Sequence, residues 1–284
     1  EFLTGEQITV WKKIKVQSIQ NTDKTGQDTI NITVRCFLKN GTASIEGKIT
    51  PRANFTVMSF EEEFLTCTFE NNLTYGSYPV TFNATFNFQT QGYLKTYYID
   101  KEKKRTFMAS EVDVLREYGI TDTNPDAIFT NGPVKIGMET TTPLPIGVPV
   151  NYSEFSSYIG LTIDRHWTEG TLKSVDKLWV VLPEGLSFDN GCTDFTNLPS
   201  NEWNPFNGNK ENVKVSVYKL KDDKINSSNL KEYKLPKSYK CALKLVNRGD
   251  LLGNTPISIK YFMARIDYTY MISQTDRISI KSRT

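Results

Sequence analysis

The chain has 284 residues, and 34 Lys and Arg against 32 Asp and Glu leave a formal net charge of +2. That length suits two domains better than one, and the charge balance excludes a polyanion binder working by bulk charge and an acidic tail protein. Hydrophobic residues make up 38% and charged residues 23%, the composition of a globular protein and not of a membrane bundle.

The first segment alternates weakly: Ile8, Val10, Ile14 and Val16 share a phase that Lys12 interrupts. It reads as a strand that pairs within its own sheet. The alternative is a donor strand that completes a neighbour's open edge. From Thr29 the alternation is clear. Ile30, Ile32, Val34, Cys36 and Leu38 fall on one face, and Asn54–Val57 keeps the rhythm. Leu65, Cys67 and Phe69 share a face, as do Val80, Phe82, Ala84, Phe86 and Phe88. A period of two with β-branched and aromatic residues predicts half-buried strands. Asn40-Gly41, Pro51, Tyr75-Gly76-Ser77 and Gln91-Gly92 are the expected turns.

Residues 109–118 change period. Ser110-Glu111-Val112-Asp113 reads as a capping box, with Val112, Leu115 and Tyr118 at helical spacing and Gly119 as the stop. Residues 120–160 are rich in Pro, Gly and Thr and predict a linker or long surface excursion, with one strand at Val134–Ile136. Strands then return at 172–182, at Val213, Val215 and Val217, at Tyr239, Cys241, Leu243 and Leu245, and over 257–272, where Phe262, Ala264, Ile266, Tyr268 and Tyr270 share a side. Ile278 and Ile280 close the chain, and 190–212 reads as a loop dense in Asn, Gly and Pro.

The four cysteines, Cys36, Cys67, Cys192 and Cys241, form no C-x-x-C pair, which argues against a zinc ribbon or a thioredoxin-type site. Two lie in the first hundred residues and two in the last hundred, so one disulfide per domain in an oxidising compartment is expected. Four buried free thiols in a cytosolic protein are the competing reading. Cys36 and Cys67 each stand mid-strand in phase with the apolar face, as two strands of facing sheets require for a bridge. The tryptophan that often packs on such a bridge is not evident, since Trp11 is the only one in this half. The fold expected is therefore all-β: two disulfide-stapled, immunoglobulin-like β-sandwich domains at 1–108 and 151–284, joined by the short helix and linker at 109–150. The chain starts at Glu1, which reads as a processed N-terminus with any export signal removed.

Asn-x-Ser/Thr sequons stand at Asn31, Asn40, Asn54, Asn72, Asn83, Asn151 and Asn226. Asn31, Asn54 and Asn83 occupy the polar phase of alternating strands, so glycans could attach there. Composition alone also scatters sequons in a chain this rich in Asn, Ser and Thr.

Catalytic signatures are scarce. His166, the only histidine, follows Asp164-Arg165 but has no nucleophile motif beside it, so a structural or surface role is expected. Asp122-Thr123-Asn124-Pro125-Asp126 opens like a calcium loop. It then puts Ala127 where a glycine belongs and Pro133 where the bidentate Glu belongs, so an ordinary Asx turn is expected. Glu61-Glu62-Glu63 and Lys101–Arg105 read as solvated faces, without the interleaved aromatics of a nucleic-acid groove. Tyr93, Tyr97, Tyr98, Trp203 and Phe206 lie near turns or in loops; Tyr97 and Trp203 are the candidate glycan contacts, with core or edge packing as the alternative. No catalytic residue, metal or cofactor is expected.

Phe129-Thr130-Asn131-Gly132-Pro133-Val134-Lys135-Ile136-Gly137-Met138, Tyr239-Lys240-Cys241-Ala242-Leu243, Leu251–Pro256 and Tyr268-Thr269-Tyr270 resemble a group of uncharacterised secreted or membrane-anchored β-rich proteins of small-genome archaea. The Cys67-Thr68-Phe69 and Gly76-Ser77-Tyr78 neighbourhoods resemble them too. The resemblance implies an exported, cell-envelope location and transfers no functional residues. The expectation is a non-enzymatic extracellular structural or assembly protein of the cell surface: a surface-layer, fibre or envelope-complex subunit, with strand exchange as one route of assembly. An adhesin or glycan-binding module is the alternative. The expected partners are proteins or copies of the chain itself, then glycans, with no nucleic acid and no membrane span.

Overall fold

A computed structural model describes residues 1–17, 29–70, 73–198, 215–226 and 235–282. Its strands are β1 (Phe2–Leu3), β2 (Ile8–Lys15), β3 (Thr29–Asn40), β4 (Ala43–Thr50), β5 (Asn54–Met58), β6 (Glu62–Phe69) and β7 (Gly76–Asp100). Two helices follow, α1 (Lys101–Ala109) and α2 (Val114–Glu117). Then come β8 (Ile128–Phe129), β9 (Val134–Thr140), β10 (Ile146–Val148), β11 (Ser157–Arg165), β12 (Thr171–Leu182), β13 (Leu186–Phe188), β14 (Phe195–Leu198) and β15 (Ser216–Leu220). The rest of the described chain holds α3 (Asp222–Asn226), β16 (Lys237–Leu245), α4 (Arg248–Leu252) and β17 (Ser258–Lys281). The fold is all-β with two disulfides, Cys36–Cys67 and Cys192–Cys241, and neither pair leaves a free thiol.

The chain divides into two compact units that are not continuous in sequence. Unit 1 is 1–89, 167–174 and 268–284; unit 2 is 90–166 and 175–267. Boundaries at 1–108, 109–150 and 151–284 do not coincide with these. The chain passes from one unit to the other inside β7, β12 and β17, where the strand runs on without a turn to mark the change, and once more between His166 and Trp167.

Unit 1 is built on the neighbour order β17-β7-β3-β4-β6-β2, with β5 beside β3 and β1 beside β17. The pivot is β4. Its first half pairs with β3, from Asn40↔Ala43 to Cys36↔Gly47, and its second half pairs with β6, from Lys48↔Thr68 to Thr50↔Thr66. One strand thus serves two sheets and brings their inner faces together. Alternation then fills the space between them: Ile30, Ile32, Val34, Leu38, Leu65, Phe69, Val80, Phe82, Phe86 and Phe88 are all buried. Cys36 and Cys67 are fully buried, with Cα atoms 6.4 Å apart. That spacing is within disulfide reach. The dry Cys36–Cys67 interior expected from their phase is what the structure contains. A tryptophan also reaches this core from a distant part of the sequence. Trp167 lies 6.0 to 6.5 Å, centroid to centroid, from Phe86, Phe88 and Tyr270.

The N-terminal strand β2 pairs antiparallel with β6 of its own chain over eight residue pairs, Ile8↔Phe69 to Lys15↔Glu62. Lys12, which breaks the apolar phase, points inward opposite Leu65. Its ammonium ion-pairs with Asp276 at 2.8 Å and sits 5.6 Å from the Phe82 ring centroid. An inward charge of this kind discourages edge-to-edge pairing.

Unit 2 has a four-stranded antiparallel sheet, β13-β16-β11-β9, and the neighbour order β14-β15-β12-β17-β7, with β8 and β10 beside β7. The expected strand at Val134–Ile136 is the start of β9, which continues to Thr140 and pairs with β11 through Ile136↔Ile163. Along β17, Phe262, Ala264 and Ile266 of this unit are buried, as are Tyr268 and Tyr270 of unit 1, as their shared phase requires. The closing Ile278 and Ile280 belong to that same strand, β17. Cys192, half-buried after β13, reaches Cys241 on β16 with Cα atoms 5.2 Å apart.

Three local expectations are corrected. The helix does not run over 109–118 from a box at Ser110. Asp100 caps α1 by accepting from Lys103 N at 2.9 Å, so the charge cluster Lys101–Arg105 is itself helical. Glu111 then takes φ 56°, which ends that run, and Asp113 starts α2 by accepting from Leu115 N and Arg116 N. The supposed Gln91-Gly92 turn lies inside β7. Gly92 is there because Ile136 crosses it: an added Cβ would sit 3.2 Å from Ile136 Cβ. The Pro/Thr-rich 109–150 segment is no free linker, since β10 runs parallel to β7 through Ile146↔Tyr98 and Val148↔Asp100.

Candidate functional site

The sequence-derived chemical candidates are absorbed by structure. His166 Nδ1 donates to Gly132 O at 2.7 Å, and the ring meets Phe129 edge to face at 5.2 Å. Asp164, the acid near it in sequence, pairs with Lys135 at 3.3 Å and accepts from Arg165 N. Asp122 of the calcium-like turn pairs with Lys95, and its carbonyl accepts from Tyr97. Among the described residues, no three His, Cys, Asp or Glu side chains are grouped to hold a metal. A shallow depression of 190 Å³ lies beside Leu94, Asn124, Asp126 and Glu139, smaller than the roughly 300 Å³ at which ligand pockets begin.

The acidic and basic runs likewise have local duties. Glu62 takes both Lys13 and Lys15, and Glu63 takes Arg52. The hydrogen bond and charge of Lys13 hold the Glu62 carboxyl below its ordinary value. In α1, Lys101 pairs with Glu154, while burial alone pushes the Lys104 ammonium down.

Of the sequons, Asn31, Asn54 and Asn151 are exposed. Asn31 accepts from Thr56 of the neighbouring strand, and Asn151 Oδ1 caps a short turn at Ser153. Asn83 is half-buried and accepts from Ser273 at 2.8 Å. Asn72 lies outside the described residues, as do the side chains of Asn40 and Asn226.

Tyr97 cannot stack on a sugar. It is 0% exposed, and its hydroxyl donates to Asp122 O at 2.8 Å. Both faces of β7 are covered in unit 2, so an aromatic near a supposed turn is core. Trp203 and Phe206 lie outside the described residues.

Two exposed aromatics stand together on the outer face of unit 1. β2, β6 and the second half of β4 are adjacent and antiparallel, so every second side chain points out. That face carries Thr9, Trp11, Lys13 and Lys15 from β2. β6 adds Glu62, Phe64, Thr66 and Thr68, and β4 adds Lys48 and Thr50. Trp11 is 73% exposed and Phe64 63%. Trp11 stands opposite Thr66 and Lys13 opposite Phe64, which makes Trp11 and Phe64 diagonal neighbours. Lys13 Nζ is 5.9 Å from the Phe64 ring centroid. Hydroxyls fill the remaining places: Thr50 and Thr66 Oγ1 are 2.6 Å apart and Thr9 and Thr68 Oγ1 3.4 Å. Phe60, 76% exposed at the β5–β6 turn, stands at φ 68°.

Sequence reasoning passed over this face because it followed only the inward phase of β2 and β6. The signal was present: Trp11 falls on the outward phase of β2, opposite in parity to Ile8, Val10 and Ile14.

No protein-family model and no curated protein matches the chain. Among solved structures, it aligns over 98% of its length with the T6 backbone pilin of serotype M6 Streptococcus pyogenes, described as a modular three-domain structure. The identity is 10%, the TM-score 0.27, and the chain spans 65% of the pilin. The collagen-binding domain of Erysipelothrix rhusiopathiae surface protein RspB aligns over 97% of the chain and 82% of that domain, at 7% identity and TM-score 0.16. Neither score reaches that of a shared fold.

Proposed function

We propose that the chain is an exported, non-enzymatic building block of the cell surface, a subunit of a surface layer, fibre or envelope complex. The observation that carries this is the fully buried Cys36–Cys67 bridge, seconded by Cys192–Cys241 in the other unit. Disulfides of this kind persist in oxidising compartments and resist unfolding by about 3–5 kcal/mol each. Among the described residues, no helix is long and apolar enough to cross a membrane. Assembly by donating β2 has no support, because β2 already completes its own sheet through β6.

Two experiments test the reading. Protease treatment of intact source cells is expected to release non-reduced peptides joined through Cys36–Cys67, and their recovery only from lysed cells overturns the location. Light scattering of the purified chain at rising concentration, with electron microscopy, is expected to show ordered oligomers. A strict monomer with no polymer overturns the assembly role. A second reading, an adhesin that binds glycans, is favoured by one observation: Trp11 and Phe64 remain exposed side by side.

A further inference from the structure

We propose that the outer face of β2, β6 and the second half of β4 binds an acidic polysaccharide. Trp11 and Phe64 act as stacking platforms, and Lys13, Lys15 and Lys48 as carboxylate contacts. The proposal rests on the adhesin reading and names its ligand class.

Each exposed ring leaves in water apolar area whose burial would be stabilising. Single exposed aromatics are ordinary; two diagonal neighbours on one open sheet face are a platform. Ring faces stack on the apolar faces of sugars, while threonine hydroxyls at Thr9, Thr50, Thr66 and Thr68 can donate to or accept from sugar hydroxyls. A protein interface core is contiguous and apolar. Here hydroxyls and ammonium groups border the two rings, so the surface suits a polymer that is polar throughout with small apolar patches.

Charge selects the polymer. Across the face Lys13, Lys15 and Lys48 stand against Glu62 alone, an excess of two positive charges. Lys13 and Lys15 share that one carboxylate, so a ligand carboxylate could take either ammonium without stripping Glu62. A uronate-type chain meets this pattern, since it repeats a carboxylate beside each sugar ring. The lysines also disfavour the main competitor, a second copy adding its own β2 to this edge. That pairing would bring Lys12, Lys13 and Lys15 against their equivalents, the like-charge arrangement that protects edges from pairing.

The test is native affinity electrophoresis of the full chain in gels containing polygalacturonate, with dextran as the neutral polymer, alongside light scattering. Polygalacturonate is expected to retard the protein at low salt, and added salt to relieve the retardation. Trp11→Ala and Phe64→Ala are each expected to weaken the apparent affinity about tenfold. Lys13→Gln/Lys15→Gln/Lys48→Gln is expected to abolish retardation. All these side chains are exposed, and circular dichroism checks that the variants fold. Retardation by polygalacturonate that survives both aromatic substitutions overturns the site. Trp11-dependent retardation by dextran alone overturns the acidic class and leaves the adhesin reading standing. No retardation by either polymer overturns both. Self-association that Trp11→Ala abolishes assigns the face to a second copy and overturns the proposal.

Discussion

The two disulfides do different work. In unit 1 the bridge joins the middles of β3 and β6 across the corner made by β4, and both cysteines are sealed from solvent. In unit 2 the bridge ties a loop residue to β16, and Cys192 remains half-exposed beside Asp189, whose carbonyl accepts from its amide. One staple holds two sheets together from within; the other fastens a connection to a sheet's surface. Sequence separation does not reveal this. The two spans, 31 and 49 residues, differ by only about 0.4 kcal/mol in loop-closure entropy, in favour of the second bridge. Position reverses that order, because removing buried sulfurs also leaves a void in a packed core.

The sharpest way to break the comparison is to delete each bridge. Cys36→Ala/Cys67→Ala is expected to cost about 4–6 kcal/mol in urea unfolding, the loop term plus the void. Cys192→Ala/Cys241→Ala is expected to cost no more than about 4 kcal/mol. Equal losses, or a larger loss for the second pair, would mean that chain entropy alone decides. Reduction reads the same difference kinetically, since thiol exchange depends on access. Under graded dithiothreitol, mass spectrometry of alkylated peptides is expected to show Cys192 and Cys241 modified well before Cys36 and Cys67.

Gly47 sharpens the contrast further. It faces Cys36 across the β3–β4 pair, and a Cβ there would lie 2.3 Å from Cys67 Sγ and 2.9 Å from Cys36 Sγ. The sulfurs occupy the space of the missing side chain. Gly47→Ala is expected to cost about 1–3 kcal/mol by overpacking. In the Cys36→Ala/Cys67→Ala background the same change should cost at least about 1 kcal/mol less, a coupling that a double-mutant cycle measures. Additive losses would show that the crowding comes from the Phe69 ring, whose Cε1 would lie 2.7 Å from that Cβ, and not from the bridge.

What the sequence disclosed follows the same division. Strands with one buried face announce themselves by alternation, so β3, β6 and the first half of β7 were legible, and so was the pairing of the two cysteines that share that phase. Where both faces are covered the signal fades. Beyond Phe88, β7 buries Thr90, Leu94, Thr96, Tyr97, Tyr98 and Ile99, and a strand without alternation resembles a chain of turns around Gly92. Long-range packing was hidden for another reason: Trp167 lies almost eighty residues beyond the Phe86–Phe88 core that it joins. The outward aromatics were written in β2 and β6, but a phase argument that looks for a core reads them only as the residues left over.

A weaker contrast lies in one ion pair of each unit. In unit 1, Lys12–Asp276 is a side-chain pair alone. In unit 2, Asp100 has two tasks: it caps α1 through Lys103 N and takes the guanidinium of Arg248, whose Nε is buried without a hydrogen-bond partner. The Lys103 amide bond, then Arg248, hold the Asp100 carboxyl below its ordinary value. A depressed carboxyl stabilises the fold above the unfolded-state value of about 3.9 and loses that contribution as pH falls through its folded value. Asp100→Ala is therefore expected to cost about 1–2 kcal/mol at pH 7, with the gap from wild type closing as the pH falls below the unfolded-state value of about 3.9. Asp100→Asn keeps a competent cap and removes only the charge, so it should cost less and flatten the same acid limb. If Asp100→Asn is as harmful as Asp100→Ala at pH 7, the ion pair outweighs the cap. If both variants parallel wild type throughout the acid limb, Asp100 contributes nothing to the acid sensitivity of unit 2.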